Sequence, residues 1–201
     1  MIDPHAFGLV LHHRYGNPEP HDLSGHGNYG YATAGRAMGR DGQLTGRQFD
    51  GVASRIYVRP STTLTRPGGL RADVSVLVEE LGHRRTLIEG YLSFALFVEG
   101  DGAIGAGIYR YKEWSGVQTP PGLVPLGSWI TVSFRYTGDG VMTLSLNDEI
   151  VAESYRQLGD AAGIEWPFGL NIGAWPDGDQ RILKGRVDEV RLWRTRPSRV
   201  G

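Results

Sequence analysis

Short apolar stretches that alternate with polar positions run along the chain and predict strands. Residues Ile130–Tyr136 and Met142–Leu146 each alternate apolar and polar side chains, and a glycine-rich turn separates them. Asn147 and Asp148 tolerate positive φ, so they predict a two-residue turn into a third strand, Glu149–Glu153. Together these segments predict an antiparallel meander.

Similar stretches elsewhere bring the expected number of strands to about a dozen. The chain has 30 glycines and 11 prolines, and few segments carry a helical period. This pattern predicts an all-β fold built as a two-sheet antiparallel sandwich. At 201 residues we expect a single domain over residues 1–201, with its core between about residue 8 and about residue 195.

Charge and composition exclude several classes of function. The formal net charge is −1 and the 21 basic residues are spread along the chain, which argues against a nucleic-acid, polybasic-membrane or other polyanionic partner. The absence of cysteine excludes disulfides and thiolate sites. The longest apolar run, Leu92–Val98, is too short to span a bilayer, and we expect neither a signal peptide nor membrane insertion.

Three motifs, taken in order, carry a family resemblance. The first is DLSGHGN at Asp22–Asn28, followed by GRQFDG at Gly46–Gly51; the second is GSWITVSF at Gly127–Phe134 with LSLND at Leu144–Asp148; the third is GRVDEVRLW at Gly185–Trp193. In this order they resemble the laminin-G-like group of concanavalin A-like jelly-roll domains. The resemblance spans nearly the whole chain.

Two features depart from that family pattern. Asp148 stands where the family turn usually has glycine, and Gly100–Gly127 matches no family motif. The resemblance implies a jelly roll of two antiparallel sheets packed face to face, with a structural calcium in many members. It also implies binding far more often than catalysis, and an extracellular or virion surface as the place of action.

The closing strand raises the question of what Asp188 holds. Alternation backward from Val190 and Leu192 places Asp188 on the apolar face, where a carboxylate is costly unless it is paired. The resemblance places this strand near the first loop, so Asp22, Asn28 and Asp188 could supply oxygen ligands to a structural Ca²⁺. Alternatively, Asp188 accepts loop N–H groups as a cap without any ion. Both interpretations stay open at this point.

Three tryptophans stand beside turn-forming residues. Trp114, Trp166 and Trp175 have glycine, proline or acidic neighbours, and Asp177 and Asp179 follow the last of them. A sugar stacks its C–H face on an aromatic ring while carboxylates accept bonds from its hydroxyls, so these five residues form the candidate glycan site. Alternatively, the tryptophans seal the ends of the sandwich.

Other motifs lack the context that their chemistry requires. Gly25–Gly30 and Gly100–Gly105 match G-x-G-x-x-G, but neither stands between a strand and a helix, as a dinucleotide site requires. Glycoside hydrolysis needs two carboxylates flanking one bond. The adjacent pairs Glu79–Glu80 and Asp188–Glu189 face opposite ways on a strand, so we predict no catalytic residues.

These observations favour a non-catalytic binding module that recognises a glycan, such as a cell-surface polysaccharide. The alternative is a structural or protein-interaction component, such as a virion tail or surface subunit that contacts other subunits of an assembly. A glycoside hydrolase ranks third, because no suitable carboxylate pair is evident.

Overall fold

The computed structural model describes residues 8–15, 20–33, 36–38, 46–64, 67–160, 168–176 and 181–195, with only the backbone given for residues 36–38. Within these ranges all fifteen regular elements are strands. They are β1 (Gly8–Arg14), β2 (Gly30–Thr33), β3 (Arg36–Met38), β4 (Gly46–Asp50), β5 (Arg55–Val58), β6 (Leu70–Val78), β7 (Arg85–Gly90), β8 (Phe94–Val98), β9 (Ile104–Arg110), β10 (Glu113–Gln118), β11 (Trp129–Tyr136), β12 (Val141–Leu146), β13 (Glu149–Tyr155), β14 (Leu170–Ile172) and β15 (Lys184–Arg194). The described part of the chain contains no helix long and apolar enough to cross a membrane.

The strands form two antiparallel sheets. One sheet has eight strands in the order β13-β12-β11-β6-β15-β4-β3, and β1 pairs with β15 as its eighth member. The other has seven strands in the order β10-β9-β8-β7-β14-β5-β2. Their facing sides share one cluster of buried apolar residues. The predicted all-β, two-sheet antiparallel sandwich is confirmed.

Side-chain alternation explains how the core is filled. On β6, Ala72, Val74 and Val76 point inward and are fully buried, and Leu96 and Ile108 do the same from the seven-stranded sheet. Because successive side chains on a strand point to opposite faces, each strand that fills the core also presents residues to an outward face. Side chains that bind a ligand can therefore stand on the outward faces without disturbing the core.

The predicted meander of β11, β12 and β13 is present, with the expected turn. Asn147 and Asp148 have φ of 49° and 69°, the left-handed region that a two-residue hairpin turn requires. The Asn147 side-chain oxygen accepts the Thr131 N–H at 2.9 Å and so joins the turn to β11. Asp148 thus adopts the left-handed conformation without being glycine.

Trp114, which stands beside turn-forming residues in the sequence, lies on a strand. β10 pairs along its whole length with β9, so Trp114 lies on an edge strand and not in a loop. Sequence reading missed this strand because only Val117 on it is buried, and Gly116 interrupts the apolar alternation. The consequence is that Trp114 belongs to an outward sheet face.

Candidate functional site

One row of residues crosses all seven strands on the outward face of the seven-stranded sheet. Strand pairing places in register Tyr31, Tyr57, Asn171, Glu89, Ala95, Gly107 and Gly116. With strands about 4.8 Å apart, the row is about 29 Å long. Its side chains shrink from tyrosine at one end to glycine at the other. At the β8–β10 end, the residues of this row therefore have almost no side chain.

The bare end of the row is the floor of an open groove of about 370 Å³. A Cβ on Gly107 would lie 3.4 Å from the Trp114 ring and 2.9 Å from the Ser115 carbonyl oxygen, so the ring rests directly on the glycine. A Cβ on Gly105 would overlap the Phe97 ring in the same way. Glycine is needed at Gly105 because the Phe97 ring lies against the backbone, and at Gly107 because the Ser115 carbonyl oxygen leaves no room for a Cβ.

Two tryptophans from distant parts of the chain meet at this groove. The ring centroids of Trp114 on β10 and Trp175 beyond β14 are 6.5 Å apart, with their planes inclined at 47°. Tyr109 packs on the other side of Trp114 at 5.4 Å. Trp114 is 43% exposed, and Trp175 is half-buried with the Arg181 guanidinium 4.3 Å from its ring centroid. The fold thus brings together two of the predicted ligand-binding residues.

A fixed arginine forms another wall of the same groove. The Arg84 guanidinium lies 4.0 Å from the Phe97 ring centroid and donates two hydrogen bonds to Glu99, at 3.0 and 2.5 Å. This bidentate pairing fixes the position of the guanidinium beside the ring. The groove therefore has an apolar floor and a charged rim.

A second groove, of about 430 Å³, lies beside the first on the same face. Its lining residues are Tyr31, Arg55, Tyr57, Arg59, Phe168, Asn171 and Pro176. Trp175 lines the first groove and Pro176 the second, so the segment after β14 separates them. The two grooves are neighbouring parts of one outward face.

The loop that contains Asp22 is organised by that carboxylate. Its Oδ1 accepts the backbone N–H groups of His12 and Ser24, each at 3.0 Å. Its Oδ2 accepts the Asn28 N–H and the Ser24 hydroxyl, each at 2.8 Å. Burial raises the pKa of Asp22, but these hydrogen bonds outweigh it and hold the pKa below its ordinary value. The carboxylate is therefore fully engaged as a cap of the loop.

Asn28 is equally engaged. Its side-chain oxygen accepts the Ser61 hydroxyl at 2.6 Å, and its amide donates to the Val10 carbonyl at 2.6 Å and to Thr63 at 2.9 Å. Calcium requires six to eight oxygen ligands, and the described residues contain no group of three or more His, Asp or Glu side chains placed to hold a metal. Asp22 and Asn28 therefore do not fit a calcium cage.

A β-bulge interrupts the alternation that led to the prediction of Asp188 on the apolar face. β15 pairs Val187 with Val76 and then Glu189 with Ser75, so Asp188 is the extra residue of the bulge and is half-buried. Its backbone oxygen accepts the Tyr15 N–H at 3.1 Å.

Strand β1 lies between the two aspartates that the calcium hypothesis joins. His13 pairs with Val190 on β15 at one edge of β1 and bridges Asp22 at the other edge. The structure thus brings together Asp22 and Asn28, but it places Asp188 beyond the opposite edge of this strand. The described residues therefore do not bring together the three residues, Asp22, Asn28 and Asp188, that the calcium hypothesis names.

The remaining predicted site residues, Trp166, Asp177 and Asp179, lie outside the described residues. Sequence reasoning also missed Arg181 and Tyr57. The alternation Arg55-Ile-Tyr-Val-Arg59, with two apolar residues between three polar or amphipathic ones, was the available signal for an outward stripe on β5.

Comparison with known proteins identifies the fold. No family model and no curated protein matches this sequence. The chain is similar to domain 4 of the extracellular GH43 arabinanase AbnA from Geobacillus stearothermophilus, solved with arabinotriose: 16% identity over 96% of this chain and 95% of that one, TM-score 0.65. It is also similar to the botulinum neurotoxin serotype G binding domain, with 11% identity over 94% of this chain and a TM-score of 0.71. The serotype D domain in complex with N-acetylneuraminic acid gives 11% identity over 95% and a TM-score of 0.68.

This chain spans 48% of each of the two toxin domains. At such low identities these likenesses show the fold, a jelly-roll β-sandwich, and do not assign the chain to a particular family.

Proposed function

We propose that this protein is a non-catalytic glycan-binding module whose ligand lies in the groove beside Trp114 and Trp175. The observation that carries the proposal is the pair of tryptophan rings, 6.5 Å apart, above a floor of glycine and alanine. Sugar rings present C–H faces that stack on exposed aromatic rings, and their hydroxyls need hydrogen-bond partners at the edges. Arg84 and Arg181 stand at those edges as donors.

The chemistry of the lining supports binding over hydrolysis. Glycoside hydrolysis uses two carboxylates about 5 to 9.5 Å apart across the scissile bond. Among the described residues that line the groove there is no Asp or Glu. The groove can hold a sugar chain, but its described residues provide no acid and base pair to cleave it.

The comparisons support the class of ligand. The arabinanase domain, which this chain covers almost completely, was solved with arabinotriose, and the serotype D toxin domain, of which it covers 48%, was solved with N-acetylneuraminic acid. Together with the laminin-G-like motifs, this favours a laminin-G-like module that acts on a glycan displayed at an outer surface, such as a cell-surface polysaccharide.

A glycan array tests the proposal, with affinity electrophoresis for the glycans that are retained. Wild type should retain at least one glycan, and Trp114→Ala should weaken that binding about 30-fold or more, since removing a central aromatic contact costs about 2 kcal/mol. Trp193→Ala is the matched control, because this half-buried tryptophan pairs with Arg71 on the other sheet.

The melting temperatures of all three proteins are measured alongside. Retention of no glycan by the folded wild type would refute the proposal. Equal loss of binding in Trp114→Ala and Trp193→Ala would show that the groove is not the site.

A second candidate function, a subunit of a larger assembly, is favoured by one observation. β13 ends the eight-stranded sheet and exposes Ile150 and Tyr155, which are 66% and 63% accessible. Exposed apolar residues on an edge strand are suited to pairing with another chain. Sedimentation of wild type and Ile150→Lys tests this: a concentration-dependent oligomer that the variant abolishes supports it, and a wild-type monomer at all concentrations rejects it.

A further inference from the structure

Four arginines gather on the outward face of the seven-stranded sheet. Arg55 and Arg59 line the second groove, and Arg84 and Arg181 line the first. Among the described residues that line the two grooves, none is Asp or Glu. The even spread of basic residues along the sequence predicts no polyanionic partner, but the fold places these four arginines on one face.

Arg55 and Arg59 bracket a tyrosine at the centre of the second groove. On β5, Ile56 and Val58 are buried, so Arg55 and Tyr57 point outward. Arg59, the residue after the strand, is exposed and lines the same groove. Both guanidiniums act electrostatically on Tyr57: burial raises the pKa of its hydroxyl, while Arg59 and Arg55 oppose that rise. The two arginines therefore lie close to the same tyrosine hydroxyl in the groove.

The charges of these two arginines are open to a ligand. Both side chains are exposed, and within the described part of the chain no carboxylate lies at ion-pair distance from either of them. Arg59 lies 4.8 Å from the Tyr31 ring centroid, and its side chain is exposed. By contrast, Arg84 is already paired with Glu99.

The one acidic residue in the row across the sheet is not placed to contact a ligand in either groove. Glu89 stands between Asn171 and Ala95, but its side chain is fully enclosed and lines neither groove. A ligand that lies on the face meets the arginines first.

We propose that the second groove binds the anionic group, a carboxylate or a sulfate, of an acidic glycan, held by Arg55 and Arg59. This inference rests on the proposed glycan-binding function and names its ligand class. A guanidinium donates two parallel N–H bonds that match the oxygens of either anion, and the neighbouring tyrosine rings offer faces for the sugar that bears it.

The separation of the grooves fits a single extended ligand. Four strand spacings separate Tyr57 on β5 from Gly107 on β9, a distance of about 19 Å. One oligosaccharide lying along the row can place an acidic residue on β5 while other sugars stack on Trp114 and Trp175.

Binding to matched pairs of acidic and neutral probes tests the inference. The pairs are oligogalacturonate and its methyl ester, sialyllactose and lactose, and chondroitin sulfate and desulfated chondroitin, so carboxylate and sulfate are tested separately. The proteins are wild type, Arg55→Gln/Arg59→Gln, Arg55→Lys/Arg59→Lys, and the control Arg135→Gln/Arg156→Gln. The control removes two exposed charges that line neither groove.

Wild type should bind at least one acidic probe about tenfold more tightly than its neutral partner at low salt, a difference of about 1.4 kcal/mol. That preference should shrink in about 1 M salt, where the Debye length is about 3 Å. Arg55→Gln/Arg59→Gln should bring the ratio close to one while affinity for the neutral probe stays within about twofold. The lysine variant should keep part of the preference, since it keeps the charge but loses the planar fork.

The outcomes separate this inference from the proposed function. Equal wild-type affinity for acidic and neutral probes overturns the inference and leaves glycan binding intact. An acidic preference that survives Arg55→Gln/Arg59→Gln, or that the control pair abolishes equally, overturns it as well. Retention of none of the probes or array glycans by the folded wild type overturns both.

Discussion

In the loop of residues 22–28, the Asp22 carboxylate and the Asn28 amide direct their hydrogen bonds to groups of the protein itself. In the groove, the ring faces of Trp114 and Trp175 and the guanidinium of Arg181 border about 370 Å³ of open space. Both regions contain residue types that bind ligands. They differ in whether those groups already contact other groups of the protein or face open space.

The difference follows from the energetics of burial. A buried polar group that lacks a partner costs about 1 to 3 kcal/mol, so the loop must satisfy its polar groups in order to fold. Half-exposed aromatic rings carry no such requirement, because water tolerates them at modest cost. A residue type that suits a ligand therefore indicates a site only where folding leaves its interactions incomplete.

The largest expected effect is on stability, in the loop. Asp22→Ala removes the acceptor for three backbone N–H groups, so the free energy of unfolding should fall by about 3 kcal/mol. Urea denaturation measures it, with Glu153→Ala as a surface control that should change little. The affinity of the folded variant for a glycan should stay at the wild-type value. A strong loss of glycan affinity in folded Asp22→Ala would show that the loop is part of the binding site and would contradict the distinction between the two regions.

The next effect is on binding, in the groove. Trp175→Ala should weaken glycan affinity by roughly 30-fold, about 2 kcal/mol, because it removes half of the stacking surface. The free energy of unfolding should fall by less in Trp175→Ala than in Asp22→Ala. Isothermal titration measures the affinity, and Tyr155→Ala, an exposed ring on the other sheet, is the control. If Trp175→Ala instead lowers stability by about 3 kcal/mol or more, the ring belongs to the core.

A smaller effect concerns pH. Burial lowers the pKa of His13 below 6.5, although the Asn28 carbonyl, which accepts its Nε2–H at 2.8 Å, opposes the shift. The folded state therefore resists the proton that the unfolded chain takes up near pH 6.5. Stability should be complete above that pH and fall as pH drops through the folded pKa.

Urea denaturation between about pH 7.5 and pH 5 checks this expectation. His13→Gln keeps a donor to the Asn28 carbonyl but does not titrate, so its stability should depend less on pH. An unchanged pH dependence in His13→Gln would contradict the assignment.

The smallest expected effect is that of calcium. Because the acceptor positions of Asp22 are filled, neither calcium nor chelator should move the melting temperature of the wild type, Asp22→Asn or Asp188→Asn. A bound ion at a hundredfold excess over Kd would add about 2.7 kcal/mol. A wild-type rise with calcium that Asp188→Asn abolishes would restore the calcium hypothesis and make the loop a ligand site.

Local patterns predicted most of the fold. The alternation along Ile130–Tyr136 and the Asn147–Asp148 turn required only neighbours in sequence, and both are present. The bulge at Asp188 could not be predicted. One extra residue reverses which side chains of the strand face the core, and no residue type in the segment marks where this happens.

The site was predictable in its residue types but not in its assembly. Trp114 and Trp175 were identified by their neighbours, but their meeting depends on β14 pairing between β5 and β7, which are not consecutive with it in the chain. The same topology gathers arginines that are dispersed in the sequence. No local sequence pattern indicates that these residues lie close together, because the order of the strands in the sheet determines which residues become neighbours.

The most direct test of the central claim is a two-dimensional amide and indole NMR titration of the ¹⁵N-labelled protein with the best-bound glycan of the array. We expect the indole N–H signals of Trp114 and Trp175 and the amide of Gly107 to shift and saturate together, while the amides of Ser24 and Asn28 stay in place. Saturating shifts confined to the loop, or to the outward face of the eight-stranded sheet, would contradict the account.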